Sequence, residues 1–288
     1  MEESLQRQRN LNSAMPSFYP VRAGQRHQRL VGAGNSPLRF LEIDRLALPA
    51  GETWAQRFPD RETLVVPLNG TARLTADCDG QKWESPLQRD DVFTASPWAA
   101  YLPGGASITL RSRSALEAVV VSAPAAGPAR PFSVTPETVT VSMVGGAHWQ
   151  RQVRILLGSD GPATRLIVGE TVNPPGHWSG MPPHKHDQVT AEESVLEEIY
   201  YYRLSPADGY LIQLFYDRTG WRESQVITGE GAVVITRGYH PTVAAPGTTG
   251  FYLWAVAGPD KSYRVSIDPA FAWMSGTAPL VSGAPSRP

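Results

Sequence analysis

The sequence predicts an all-β protein built as two tandem jelly-roll β-barrels. Three observations point there. Glycine and proline number 26 each in 288 residues, so about one residue in six breaks a helix or makes a turn. Short β-like runs punctuated by those residues follow one another at even spacing, the pattern of a sandwich or barrel. A Pro-rich segment, APAAGPARPFSVTPE at 123–137, divides the chain, and the rhythm on its two sides is the same, as in a repeated module.

Taken in order, the chain opens on MEESLQRQRNLNSAM, which is polar and lacks the apolar core of a signal peptide. Residues 1–20 are expected to be a flexible extension, with Met15 an alternative start. The first barrel is expected over 21–125. Its runs are Leu38–Leu48, Glu62–Pro67, Thr71–Ala76, Asp91–Thr94, Ala100–Leu102, Ser107–Arg111 and Leu116–Ser122, with turns at Pro49-Ala50-Gly51, Asn69-Gly70, Asp79-Gly80 and Pro103-Gly104-Gly105. A linker follows at 126–149. The second barrel is expected over 150–276, from the runs Arg151–Leu157, Arg165–Thr171, Glu198–Leu204, Tyr210–Tyr216, Gln225–Ile227, Ala232–Thr236, Phe251–Ala257 and Ser262–Ile267. The Gly, Ala, Pro and Ser of 277–288 read as a loosely held tail.

Composition excludes several classes. The net charge is −1 and charged residues are 18%, which gives no electrostatic case for nucleic acid or an anionic membrane. A single cysteine, Cys78, rules out an intrachain disulfide framework and fits a reducing compartment. No apolar run reaches the ~18 residues of a membrane span. A cytoplasmic protein is expected. Lysine occurs only at Lys82, Lys185 and Lys261 among 26 basic residues, which draws attention to Lys185.

Chemistry is concentrated in the second half. Of six histidines, none lies between 38 and 123, so the first barrel cannot hold a three-histidine site and is expected to serve packing. The second half carries PPHKHD at 182–187, EEIYYYR at 197–203 and RGYHP at 237–241. His184 and His186, two apart, share one side of an extended strand, with Lys185 on the other. The same alternation puts Glu198, Tyr200 and Tyr202 on one face of the next strand, and Glu197, Tyr201 and Arg203 on the other. Two tyrosines beside it favour Glu198 as the inward carboxylate. With His240 from a neighbouring strand, these residues close three or four ligands around one divalent cation. An isolated His-x-His more often decorates a surface loop; it is the convergence of the three strings within one barrel that favours a metal. His177 has no such partner spacing and reads as a loop residue.

The strings PPHKHD, ESVLEEIYYYR, RGYHP and FYLWAVAGP, with FYPVRAG near the start and RQVRILLG after the linker, resemble the bicupin family of 5-deoxy-glucuronate and 4-deoxy-5-ketouronate isomerases over nearly the whole chain. The first barrel matches mainly in pattern. The resemblance implies metal ligands at His184, His186, Glu198 and His240. The spacing from His186 to Glu198 is longer than in many cupins, so the intervening DQVTAEESVLE is expected to form a loop able to close over the site.

The resemblance implies an aldose–ketose isomerase turning 5-deoxy-D-glucuronate into 2-deoxy-5-keto-D-gluconate in myo-inositol catabolism. One divalent metal, Zn before Mn or Fe because no redox change is needed, would act as Lewis acid on the carbonyl. Tyr200, Tyr202, Tyr239 and a metal-bound water are candidate proton carriers, each tyrosine having barrel packing as its plainer role. The substrate carboxylate needs a cation, for which Arg151, Lys185, Arg203 and Arg237 are candidates; strict alternation turns Lys185 and Arg203 away from the metal. Gln213, polar within LIQLF, is a further candidate pocket residue. The partners expected are a small sugar acid and other copies of the chain. Rival readings are an isomerase of a 4-deoxy-5-ketouronate, a metal-dependent dioxygenase, and a non-catalytic sugar-binding bicupin.

Overall fold

The computed structural model describes residues 17–277. The expected extension up to residue 16 and the tail beyond 277 lie outside that range. Among the described residues two large antiparallel sheets carry the architecture. One runs in the order Phe18–Pro20, Gly231–Ile235, Glu197–Ser205, Thr249–Ala257, Ile167–Asn173, Arg151–Leu157 and Thr140–Val144. The other has as its main path Phe132–Val134, Ala99–Leu102, Arg61–Cys78, Leu116–Pro124, Glu42–Leu48 and His27–Val31. The 18-residue strand Arg61–Cys78 continues past a register shift at Pro67/Asn69 to pair with Gln81–Arg89 and Ser107–Ser112. Gly70 sits at that bend with φ +84°, and a Cβ there would collide with the Ala115 carbonyl; only glycine fits.

The two halves repeat each other in register. Glu62 pairs with Ala123 and Thr63 with Leu102; in the second half Glu197 pairs with Ala257 and Glu198 with Ile235. Thr63 therefore occupies the position that Glu198 occupies in the other barrel.

Alternation along these strands divides the apolar residues into three clusters. Leu64, Val66, Val119 and Val121 meet Ile199, Tyr201, Leu253 and Ala255, so the two sheets pack back to back. The opposite face of the first sheet closes its own barrel around Val65, Leu74, Leu102, Ile108 and Val120. The opposite face of the second encloses Tyr200, Tyr202, Phe215, Tyr252 and Trp254. Each such buried side chain contributes roughly 1.5–3 kcal/mol, and where the second barrel has Glu198 the first has the uncharged Thr63, buried with no histidine from residues 38–123 beside it.

Polar groups at the interface are paired. Arg89 and Glu170, both without exposed side-chain surface, form an ion pair at 2.6 Å, and Arg154 approaches the same carboxylate at 3.6 Å. Glu197 accepts the backbone N–H groups of Arg39, Phe40 and Leu41 at 2.6, 2.7 and 3.1 Å. Glu62 reciprocates, accepting those of Thr164, Arg165 and Leu166 at 2.7, 2.7 and 2.5 Å.

Four expectations change. Asp91–Thr94, expected as a strand, is a turn. Phe18–Pro20, placed in the flexible extension, is a strand paired with Gly231–Val233 of the second half. The expected linker contains two strands, Phe132–Val134 on the first sheet and Thr140–Val144 on the second, so the crossover is part of both sheets. Only Ser266–Ile267 of the last run is strand, paired with His184–Lys185. Among the described residues no helix is long and apolar enough to cross a membrane.

Candidate metal centre

Four residues converge inside the second barrel. Glu198 projects from a central strand, buried beneath Tyr200. His184 and His186 come from the arm tied to Ser266–Ile267, and His240 follows the turn after Gly231–Ile235. Glu198 Oε2 stands 3.0 Å from His186 Nε2 and 3.0 Å from His240 Nε2. One ligand atom from each of these three falls within 4.8 Å of the others. The His184 ring lies 5.0 Å from that of His240 and 6.5 Å from that of His186, centroid to centroid.

The hydrogen bonds fix which nitrogen faces the centre. His184 Nδ1 meets the Pro182 carbonyl at 3.1 Å, His186 Nδ1 that of Leu196 at 2.9 Å, and His240 Nδ1 that of Gly238 at 2.9 Å. A carbonyl only accepts, so in each neutral ring Nδ1 carries the proton and Nε2 keeps a lone pair. His240 Nε2 is buried without a hydrogen bond. Three imidazole lone pairs and one carboxylate are the donor set of a divalent transition metal, and the carbonyls supply the outer support such ligands require. The residues fit the group.

Electrostatics agree. Burial pushes the His184 imidazolium down to a pKa of about 3, with His240 adding to the effect. Burial works to raise Glu198, but the His186 and His240 imidazoles beside it, each favouring the charged carboxylate, outweigh that and bring the carboxyl down to about 2. His186 is raised: burial opposes its charge, and Glu198 more than offsets that.

A cavity of about 390 Å³, counted out to open solvent, adjoins the centre; Arg151, His184, Glu198, Tyr200, Tyr252 and Tyr263 are among its walls. Tyr200 thus lies where the alternation put it. Its hydroxyl and that of Tyr263 have no hydrogen-bond partner among the described residues, and burial raises the pKa of both. Tyr202 also points inward, but its hydroxyl donates to Gln213 Oε1, and Gln213 Nε2 in turn donates to the His240 carbonyl. That pair braces the His240 turn and leaves no free polar atom for a substrate.

Other expected residues fall elsewhere. Tyr239 precedes inward His240 and so points out, packed on Tyr216 at 5.1 Å between ring centroids. Lys185 bonds Asp187 at 2.7 Å and Glu193 at 2.8 Å. Arg203, on the interface face, bonds Glu117 and Glu230, each at 2.8 Å. Arg237 pairs with Asp217 and stacks over Trp221 at 4.2 Å. Having these partners, Lys185, Arg203, Arg237 and Tyr239 do not line the cavity. His177 is a loop residue bonded to the Gln150 carbonyl at 2.8 Å.

The long insertion after His186 does not cover the cavity. Glu193 accepts the Asp187 and Gln188 amides at 2.7 and 2.9 Å, folding the loop onto itself, and Leu196 N–H returns to the His186 carbonyl at 2.9 Å. The loop braces a ligand instead. Tyr252 and Tyr263 are among the wall residues that escaped the sequence reading. Tyr252 could have been found, since Tyr252, Trp254 and Val256 alternate inward as Tyr200 and Tyr202 do. Tyr263 lies in the run 262–267, whose first four residues are not strand in the fold, so its alternation did not reveal the wall it joins.

Comparison with known proteins follows the same lines. The KduI/IolB family model matches residues 19–274. A protein named 5-deoxy-glucuronate isomerase from Geobacillus thermodenitrificans (strain NG80-2) is 34% identical over 238 residues, 82% of this chain and 86% of that one. One of the same name from Bacillus subtilis (strain 168) is 29% identical over 263 residues, 90% and 96% of the two chains. The crystal structure of an IolB-like protein from Salmonella typhimurium LT2 superposes with a TM-score of 0.84 at 28% identity, covering 91% of this chain and all of that one. An oxalate decarboxylase from Lactobacillus farciminis, 11% identical with a TM-score of 0.67 over 92% and 91% of the chains, shares the fold alone.

Proposed function

The chain belongs to the KduI/IolB family, and from that premise we propose that it is an aldose–ketose isomerase acting on 5-deoxy-D-glucuronate to give 2-deoxy-5-keto-D-gluconate, a step of myo-inositol catabolism. The observation that carries the reading is the approach of His186 and His240 Nε2 to the Glu198 carboxylate, both at 3.0 Å, with the His184 ring beside them and each imidazole fixed by an Nδ1–carbonyl bond. His184, His186, Glu198 and His240 would hold one divalent metal. Zn is favoured, since the conversion leaves the overall oxidation level unchanged, and Mn or Fe would serve the same ligands. When bound, such an ion supplies Lewis acidity toward a carbonyl and its neighbouring hydroxyl.

The chain's own residues supply the rest. The reaction takes a proton, or a hydride, from the carbon bearing the hydroxyl and returns it to the former aldehyde carbon. Tyr200 and Tyr263 present unpartnered hydroxyls to the cavity, held neutral by burial, so they donate hydrogen bonds to the oxygens whose charge changes. Stacked Tyr200 and Tyr252, with centroids 4.5 Å apart, wall the site and exclude water. The relatives' printed name favours the 5-deoxy-glucuronate reaction over that of the 4-deoxy-5-ketouronate branch. Self-association is proposed as well; light scattering checks it.

The test is incubation of purified, metal-loaded protein with 5-deoxy-D-glucuronate, followed by NMR. Loss of the aldehyde-derived signals with growth of a ketone is expected. Oxygen consumption would instead mark a dioxygenase, and binding without turnover a sugar-binding protein. Run in D2O, deuterium at the former aldehyde carbon signals proton transfer, and its absence a hydride shift.

A further inference from the structure

Four arginines in the described residues are buried: Arg45, Arg89, Arg151 and Arg154. Three have a carboxylate within ion-pair distance. Arg89 and Arg154 share Glu170, and Arg45 bonds Glu117. Arg151, only 2% exposed, has none. Its Nη1 donates to the Trp149 carbonyl at 3.1 Å and its Nη2 to that of Met181 at 2.8 Å, which leaves Nε and the second hydrogen on each Nη without a partner. The loop before it closes tightly around the guanidinium: Gly145 has φ +88°, and a Cβ there would strike both the Trp149 carbonyl and Arg151 Nη1.

A buried, unpaired guanidinium is costly, and the cost is offset when an anion completes it. Arg151 lines the same cavity as His184 and Glu198. Carbonyls at two corners hold the fork with its remaining N–H groups uncommitted. We propose that Arg151 is the residue that binds the substrate's carboxylate, so that the site selects open-chain sugar acids over the corresponding neutral sugars and polyols. This deepens the isomerase reading and rests on it for the identity of the acid. The geometry matches a planar carboxylate accepting two parallel N–H bonds, which a lysine ammonium does not reproduce. It also gives orientation: with one end of the chain fixed at Arg151, the other end reaches toward the histidines.

The test does not require turnover. Binding of D-gluconate, an open-chain acid, and of sorbitol, its neutral counterpart, is measured by calorimetry on metal-loaded wild type, Arg151→Met and Arg151→Lys. Gluconate affinity should fall about ten- to a hundred-fold in Arg151→Met, with metal content and sorbitol binding unchanged. Arg151→Lys should recover part of the preference for the acid. Should Arg151→Met fail to fold, a crystal structure of wild type with gluconate decides: a carboxylate seated on Arg151 supports the assignment, and one seated elsewhere overturns it. Undiminished gluconate affinity in folded Arg151→Met, or no gluconate binding by the wild type, also overturns it. Failure of the isomerase reading appears separately, as absent turnover of 5-deoxy-D-glucuronate by a wild type that still binds gluconate through Arg151.

Discussion

Glu197 and Glu198 are consecutive carboxylates that serve opposite sides of one sheet. Glu198 faces the barrel interior and meets two imidazoles, both at 3.0 Å. Glu197 faces the other barrel and accepts three successive backbone amides from residues 39–41. One residue of register separates the proposed metal site from assembly of the two halves. The variants should therefore fail differently. Glu198→Gln should lose metal and reduce turnover by orders of magnitude while the barrels stay docked. Glu197→Gln should keep its metal but lose about 1.5–3 kcal/mol of stability, because the amide turns N–H groups toward donors that need an acceptor. Metal analysis and urea unfolding on both variants check this; the reverse pattern would refute the assignment.

Purified protein should contain about one divalent ion per chain. His184→Ala and His240→Ala should each lose it by elemental analysis. Stoichiometric metal in both would put the site elsewhere.

Stripped of metal by a chelator, the protein should lose stability in acid. The His184 imidazole is held neutral in the fold down to about 3, against 6.5 when free. Between these values the unfolded chain binds a proton that the folded chain does not, so stability falls as the pH drops from 6.5 toward 3. Glu198, depressed from 4.5 to about 2, acts in the same direction over the lower part of that window. Thermal melts of the metal-free protein between pH 7 and 4 should show a steady decline; a flat profile would contradict it.

Tyr263→Phe removes a hydroxyl that makes no hydrogen bond among the described residues, so the melting temperature and metal content should hold. Turnover should fall about a hundred-fold if that hydroxyl serves the proton movements. Unchanged kcat and KM would reduce Tyr263 to a wall.

The buried Arg89–Glu170 pair gives a prediction on stability alone. Arg89→Met leaves Glu170 charged and only partly compensated by Arg154, and should cost about 3–5 kcal/mol. Adding Glu170→Leu should return part of that loss, unless Arg154 is then stranded in turn. Chemical denaturation of the single and double variants measures both.

What the sequence disclosed followed from alternation. Along Glu197–Arg203 the inward set Glu198, Tyr200 and Tyr202 and the outward set Glu197, Tyr201 and Arg203 could be read because a strand has period two, and His184, His186 and His240 stood out by type. Gln213 was visible as a polar residue in an apolar run and Arg151 as a cation near the motifs, but not what they touch: Gln213 reaches a backbone carbonyl 27 residues away. The strands at 18–20 and 132–134 were hidden because each is three residues long and finds its partner across the fold, and that at 140–144 because it follows a Pro-rich stretch and pairs only along one edge, with Arg151–Leu157. Tyr263 was hidden because the run 262–267 alternates like a strand, yet only Ser266–Ile267 is one, so the alternation gave Tyr263 no barrel face. The insertion after His186 was legible as a loop but not in its role, since the latch depends on Glu193 folding back to residues 185–188.

Phe18–Pro20 runs along the outer margin of the ligand-bearing sheet, its Phe18 ring filling the space where Gly231 has no side chain. The first described strand of the chain therefore shields a flank that the second half makes but does not cover. A fragment comprising 150–276 would carry all four ligands and still present the bare N–H and C=O groups of Gly231–Val233 to solvent, a template for strand addition from another molecule. Cutting the protein at its apparent midpoint would not yield a small soluble enzyme but an adhesive one, and supplying residues 17–21 as a separate peptide should restore its solubility.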